Sequence, residues 1–506
     1  MDLKALQNGS DFRGIAVDTE EYKANLTAEQ VKKIGIGMIH WLRDQKQLTE
    51  KHEAGQLKIG IGHDSRITAG SLKQALIDCF SAHHIHVLDF GLATTPAMFM
   101  ATQFPQYDCD AAIMITASHL PYYFNGLKLF TKDGGAEKAD IAYIAEHSQE
   151  PLTEEQGSVE KTEILTAYAA DMVKKIRKGM KTTATNPLEG FRIIVDAGNG
   201  AGGFFAEKVL AALGANTTGS QFLEPDGTFP NHIPNPDNKE AMESIRQAVL
   251  TNKADLGVIF DTDVDRSAVV DRTGEVINRN NLIAVLATIV LEEYPGSSIV
   301  TNSPTSSHLK VFIEEKGGKQ VRYISGYRNV INKMIALNKE GIETPLAIET
   351  SGHAAFKENY DLDDGAYVIA KLLMLLPRLR EEGRSLGELI ADLQQPAETQ
   401  EIRFKIVAED VRGYGEQVIQ ELAGYVERTE DMTVDPENHE GIRVNVSGKF
   451  GQGWFLLRMS LHEPLLVLQV ENDEEGKNLE VFQQLNDFFN TYDQLNQTSL
   501  DDILKQ

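Results

Sequence analysis

Cysteine is almost missing from this chain: Cys79 and Cys109 are the only two among 506 residues. Two thiols cannot build a disulfide framework or a cysteine-based zinc site, and they fit a reducing cytosol. Positive charge is also scarce. Lys and Arg number 49 against 75 Asp and Glu, a formal net charge of −26. Such a surface repels nucleic acids and anionic membranes, although a locally basic pocket could still take a small anion. Long apolar runs are absent too, since residues 282–291 and 367–376 are too short or interrupted to span a bilayer. Met1-Asp2-Leu3-Lys4 opens without the apolar region of a secretory leader. There is no low-complexity segment, and the acidic stretches near Glu430 and Glu474 read as solvated surface. A cytoplasmic globular protein is the expectation, and 42% hydrophobic and 25% charged residues agree with it.

The length exceeds one hydrophobic core and suggests three or four domains. Strand and helix patterns alternate: strands at 57–62 and 85–89, a helix at 69–82, and a helix over 160–178 from the spacing of Ile164, Leu165, Tyr168, Met172 and Ile176. A polar break with Thr182, Thr183 and Pro187 precedes a strand at 191–196, helices at 206–213 and 239–250, and a strand at 256–260. Pro295-Gly296-Ser297-Ser298 marks a second break, before strands at 299–301, 321–324 and 346–349 and a helix from Asp364. After a linker at 394–397 the style changes to strands at 402–406, 442–446, 455–458 and 465–470 with two helices. The fold class is therefore α/β: three βαβ-type mixed-sheet domains (1–186, 187–296, 297–395) plus a C-terminal α+β domain (396–506).

Four segments carry chemistry. In the first, the apolar run 111–115 leads into Thr116-Ala117-Ser118-His119-Leu120-Pro121, with Lys128 ten residues past the serine. A hydroxyl at the C-terminal end of a parallel strand stands where α/β proteins bind ligands; read alone, a turn serine bonded to backbone is the favoured reading. In the second, Val258-Ile259-Phe260 runs into Asp261-Thr262-Asp263-Val264-Asp265-Arg266. Three alternating carboxylates repel one another unless a cation gathers them, and oxygen-only ligands suit Mg²⁺. An EF-hand is excluded because its glycine and glutamate positions hold Arg266 and Arg272. A haloacid-dehalogenase-type aspartyl nucleophile is a competing reading, but it leaves Asp265, Arg266 and the Ser118 loop without a purpose. In the third, Ile348-Glu349-Thr350-Ser351-Gly352-His353 offers acceptors and donors for vicinal sugar hydroxyls. In the fourth, Arg458-Met459-Ser460-Leu461-His462-Glu463-Pro464 pairs a guanidinium with a hydroxyl and loop amides, a set suited to phosphate. Residues 198–203 fit the G-x-G-x-x-G dinucleotide pattern. With no companion hydride-transfer site, a tight strand-to-helix turn is the preferred reading. Ser118 lacks the flanking glycines of a hydrolase elbow.

In this order the segments resemble the α-D-phosphohexomutase superfamily, of the phosphomannomutase/phosphoglucomutase type. The likeness extends to Asp11-Phe12-Arg13-Gly14, Gly62-His63-Asp64-Ser65-Arg66, Thr95-Pro96, Pro225-Asp226-Gly227-Thr228-Phe229-Pro230-Asn231-His232, Gly326-Tyr327-Arg328 and Gly453-Trp454. The resemblance implies four domains around a central cleft. It implies a phosphoserine at Ser118, and Mg²⁺ on Asp261, Asp263, Asp265 and a phosphoserine oxygen. Lys128, His119, Arg13 and His353 would handle protons or touch phosphate, and Arg266 would add positive charge at the transfer point. Glu349 and Ser351 would hold sugar hydroxyls, while Arg328, Arg458, Ser460 and His462 would hold the phosphate that is not reacting. The implied reaction interconverts hexose 1-phosphate and hexose 6-phosphate, of glucose and/or mannose, through hexose 1,6-bisphosphate. The implied partners are those sugar phosphates, with no nucleic acid and no membrane, and the chain is a monomer or homodimer. A phosphoglucosamine mutase and a non-catalytic sugar-phosphate binder are the alternatives. The chain departs from the family pattern at Leu120, Thr262, Val264, Ile348, Arg328 and Leu461-His462, which points to a divergent branch.

Overall fold

A strand with no polar residue, Ala111–Ile115, is buried along its whole length, as a strand covered on both faces must be. In the computed structural model, which describes residues 3–461 and 463–505, this strand lies parallel to Lys58–His63, and that one to His86–Leu92. Phe124–Thr131 and then Asp11–Ile15 extend the sheet antiparallel on the other side. Helices Ala28–His40 and Ala69–Ser81 bury Val31, Ile34, Met38, Leu72, Leu76 and Phe80 against alternate strand residues such as Ile59, Ile61, Ile113 and Ile115. The helix expected over 160–178 is Leu165–Gly179, because apolar spacing begins only at Ile164. Ser158–Lys161 instead forms an edge strand parallel to His86–Leu92.

The chain divides into two units, Met1–Arg279 with Ser351–Glu388 and Asn280–Thr350 with Leu389–Gln506. The first unit also holds a sheet in which Leu256–Phe260 is parallel to Ile193–Asp196 and antiparallel to Ser267–Asp271. Phe260 pairs with Ser267, so residues 261–266 are a hairpin loop. Helix Lys239–Asn252 packs Ile245 and Val249 against Ile194 and Ile259. Residues 206–213, expected as an α-helix, form a π-helical turn, Phe205–Leu210, and a 3₁₀ turn, Ala211–Leu213, ending on left-handed Gly214. A small hairpin, Ala354–Phe356 with Leu362–Asp363, leads into helix Gly365–Leu373, capped by Asp364.

In the second unit Ser298–Asn302 lies between parallel Lys319–Tyr323 and Leu346–Ile348. The C-terminal part is an all-antiparallel five-stranded sheet. Helices Val411–Val426 and Lys477–Phe489 cover one face through Val418, Leu422, Phe482 and Phe489. A third helix, Thr498–Leu504, adds Leu500 to that core. On the other face, Arg443 donates to the Ser303 and Thr305 carbonyls at 3.0 and 2.9 Å. Among the described residues no helix is long and apolar enough to cross a membrane.

Candidate active site

Three residues past the buried strand Ala111–Ile115, Ser118 takes a left-handed backbone conformation (φ 51°) and is 2% exposed. Its Oγ donates to Asp261 Oδ2 at 3.0 Å and lies 3.5 Å from His119 Nδ1. The ten-residue spacing to Lys128 is the return of a hairpin. Met114 pairs with Lys128 across the sheet, which sets the lysine beside the strand that delivers the serine. Lys128 Nζ donates to Asp263 Oδ2 at 2.9 Å and to Asp265 Oδ2. Arg13 pairs with Gly126, two residues from Lys128, and so stands on the same sheet face. It bridges to Asp11 at 2.9 Å.

The hairpin loop 261–266 gathers its carboxylates. Asp261, Asp263 and Asp265 are each at most 1% exposed, and one ligand atom from each lies within 4.8 Å of the others. Arg266 closes the loop onto Asp261 through its amide at 3.2 Å and its Nε at 3.0 Å. Burial, then the charges of Asp265 and Asp263, push the Asp261 carboxyl well above its ordinary range. For Asp265 burial also pushes upward, but Lys128, His353 and Arg266 outweigh it and hold this carboxyl far below that range. The Oδ1 atoms of Asp263 and Asp265 are buried with no hydrogen-bond partner. Buried orphan carboxylate oxygens are costly unless a cation takes them. The residues present therefore fit a hard, oxygen-seeking divalent ion.

Val264 stands at a position that glycine would fill more comfortably. It is β-branched, fully buried and left-handed at φ 66°, a conformation that costs about 1–3 kcal/mol. The Gly365 amide donates to its carbonyl at 3.1 Å and anchors the turn. Thr95 holds the same loop from the first sheet: its amide donates to the Asp263 carbonyl at 2.9 Å, and its hydroxyl to the Asp263 carboxylate. His353 Nδ1 meets Asp363 Oδ2 at 2.6 Å and lies 3.9 Å from Asp265. Burial alone would lower this imidazole, but Asp363 and Asp265 push it up to about 9. The sequence reading assigned no role to Thr95 or Asp363, although Thr95-Pro96 and the Asp363-Asp364 pair were both visible. Ser351 Oγ, in the same unit, is buried without a hydrogen-bond partner.

The second unit holds the other expected residues. Glu349 accepts the Gly326 amide at 2.7 Å, which sets it at the start of helix Tyr327–Lys339, the helix that carries Arg328. A Cβ at Gly326 would lie 3.6 Å from Leu461, so Leu461 stands close to this helix start. Arg458 is near the end of strand Gly453–Met459, and Ser460 Oγ accepts the Glu463 amide at 3.3 Å. His462 lies outside the described residues.

The glycine-rich stretch 198–203 is a turn after strand Ile193–Asp196, as the sequence suggested, and it seats the carboxylate loop. The Ala201 amide donates to the Thr262 carbonyl at 2.8 Å, and a Cβ at Gly200 would lie 2.7 Å from that oxygen. Below the turn, His232 faces two acceptors, the Ile233 carbonyl at 2.9 Å and the Asp196 carboxylate at 2.9 Å. Only an imidazolium donates to both. Burial pulls the His232 pKa down, but Asp196 outweighs it, and the net result is above the ordinary 6.5. A raised histidine pKa adds stability that is fully present below the unfolded value and fades as pH rises through the folded one. The gap in unfolding midpoint between wild type and His232→Gln is thus expected to be widest on the acid side of 6.5 and to narrow as pH rises above it. A constant gap would remove the charged pair.

Three family models match the chain in order: phosphoglucomutase/phosphomannomutase alpha/beta/alpha domain I over residues 4–153, domain II over 167–274 and domain III over 278–397. The phosphomannomutase/phosphoglucomutase of Pseudomonas putida is 31% identical over 439 residues, covering 86% of this chain and 87% of that one. The phosphoglucomutase of Neisseria gonorrhoeae is 31% identical over 432 residues, covering 84% and 86%. A solved phosphoglucomutase/phosphomannomutase family protein from Burkholderia thailandensis shares the fold, with a TM-score of 0.77 at 24% identity over 97% and 98% of the two chains. A buried serine and lysine set against an acidic hairpin are the parts of a phosphoryl-transfer enzyme. The chain belongs to the phosphoglucomutase/phosphomannomutase family of the α-D-phosphohexomutases.

Proposed function

We propose that this enzyme interconverts hexose 1-phosphate and hexose 6-phosphate, of glucose and/or mannose, with Ser118 as the phosphoryl carrier. The observation that carries the reading is the 3.0 Å contact between Ser118 Oγ and Asp261 inside a buried carboxylate cluster. In the resting enzyme Oγ is phosphorylated. The free hydroxyl oxygen of a bound hexose 1-phosphate attacks phosphorus, the P–Oγ bond breaks, and a proton leaves the sugar hydroxyl as one reaches Oγ. The hexose 1,6-bisphosphate turns over, Oγ attacks its other phosphoryl group, and hexose 6-phosphate departs. Lys128, His119, Arg13 and His353 are the groups for proton traffic and for contact with phosphoryl oxygens. Arg266 adds fixed positive charge. Asp261, Asp263, Asp265 and a phosphoserine oxygen would hold Mg²⁺, which when bound neutralises charge developing on the transferring group.

Glu349 and Ser351 serve the sugar hydroxyls in this reading. Arg328, Arg458, Ser460 and His462 serve the phosphate that is not reacting. In this reading the domains at 1–186, 187–296, 297–395 and 396–506 each carry one of these loops. Two buried free thiols support a cytoplasmic location. Rates on glucose 1-phosphate, mannose 1-phosphate and glucosamine 1-phosphate, each primed with its bisphosphate, test the assignment. Turnover of glucose or mannose 1-phosphate is expected, and turnover of neither would overturn it. Arg458→Ala is expected to raise KM about tenfold or more with a smaller fall in kcat, because it removes binding common to ground and transition states. Steady-state kinetics showing the reverse pattern would take Arg458 out of that phosphate site.

A further inference from the structure

One side chain holds the serine loop in shape. Arg66 follows strand Lys58–His63 and its side chain is fully buried. Its guanidinium donates to four carbonyls of a single segment: Nη2 to Ser118 at 2.5 Å and Leu120 at 2.6 Å, Nη1 to Pro121 at 2.8 Å and Phe124 at 2.9 Å. Asp64 lies 3.5 Å from its Nε and accepts its amide at 2.9 Å. Asp64 also accepts the Thr116 hydroxyl at 2.6 Å, and Thr116 Oγ1 accepts the Ser118 amide at 2.9 Å. Amide and carbonyl of Ser118 are thus both fixed. They hold the left-handed conformation that sends Oγ toward Asp261.

The far side of Arg66 is closed by the loop 225–232. The Phe229 ring centre lies 5.3 Å from the guanidinium carbon. Gly227 packs so tightly that a Cβ there would lie 2.6 Å from the Ile67 amide. Asn199 ties this loop to the glycine turn: its carbonyl accepts the Asp226 amide at 2.8 Å, and its side chain accepts Asn231 Nδ2 at 2.8 Å. The same turn carries Thr262 of the carboxylate loop. A continuous run of contacts therefore joins the serine loop to the acidic hairpin without using the reacting groups.

We infer that Arg66, backed by Phe229, is a positioning residue for phosphoryl transfer: it sets where Ser118 Oγ stands relative to the acidic hairpin. This rests on Ser118 being the carrier. The shape of the side chain matters, because a planar guanidinium spans four carbonyls whereas an ammonium is one point with three donors. A lysine at position 66 keeps the charge and loses the span. Full-length Arg66→Lys and Phe229→Ala are compared with wild type for kcat and KM on primed hexose 1-phosphate. Each kcat is normalised to the fraction of chain that carries phosphate by intact mass, so partly unfolded protein does not count.

Arg66→Lys is expected to lose about a hundredfold in normalised kcat, the effect of a roughly 1 Å misplacement, with KM within about threefold. Phe229→Ala should lose about three- to tenfold in kcat with KM unchanged, and the double variant should lose less than the product of the two. Wild-type normalised kcat in Arg66→Lys would overturn the inference. If Arg66→Lys does not fold, wild-type kcat in Phe229→Ala does the same. A fully active Ser118→Ala would instead overturn the carrier assignment, so the two failures are distinguishable.

Discussion

Ser118→Ala is expected to stop turnover and leave the fold intact. Alanine keeps the Cβ, and Thr116 and Arg66 still hold the backbone on both sides of the residue. The change deletes one hydrogen bond to Asp261, a loss of about 1 kcal/mol, so the unfolding midpoint should move by only a few degrees. The rate should fall by at least about a thousandfold, as when a covalent carrier is removed from any two-step transfer. Intact mass is the second measurement. Wild type incubated with hexose 1,6-bisphosphate should carry one phosphate, and the variant none. A sugar-phosphate sensor would show neither the phosphate nor the rate, and a variant that kept full activity would remove the phosphoserine altogether.

What could be read from the sequence was local. The apolar run before Ser118, the spacing to Lys128 and the alternation of Asp261, Asp263 and Asp265 are neighbours in the chain, and each turned out to be one hairpin or one strand end. The contacts that aim these groups are not local. Thr95 reaches Asp263 across 168 positions and Arg66 reaches Ser118 across 52, and nothing in the periodicity around Thr95 or Arg66 announces a distant partner. Edge strand Ser158–Lys161 was hidden for another reason. All four of its residues are exposed, so it has no buried face to impose an alternating pattern. Val264 shows the opposite case. Its type argues against a left-handed turn, and tertiary contacts override that preference.

Asp261→Asn is expected to separate stability from activity. Without a cation the Asp261 carboxylate sits in the interior beside two like charges, and burial together with those charges disfavours its ionised form. An amide of the same shape removes that repulsion and still offers an oxygen to Ser118 Oγ and Arg266 Nε; it gives up the bond from the Arg266 amide to Oδ1, about 1 kcal/mol. With a chelator present, the variant should therefore unfold at or above the wild-type midpoint. Added Mg²⁺ should reverse the order. Wild type gains about 2.7 kcal/mol at a hundred times its dissociation constant, whereas a site short of one carboxylate gains little at the same concentration. Activity should drop by more than about a hundredfold, beyond the loss caused by removing an outer partner of a metal ligand. Thermal unfolding with and without Mg²⁺, beside steady-state rates, reads all three effects. A variant less stable than wild type in chelator, with an undiminished response to Mg²⁺, would mean that the acidic hairpin does not gather a cation through Asp261.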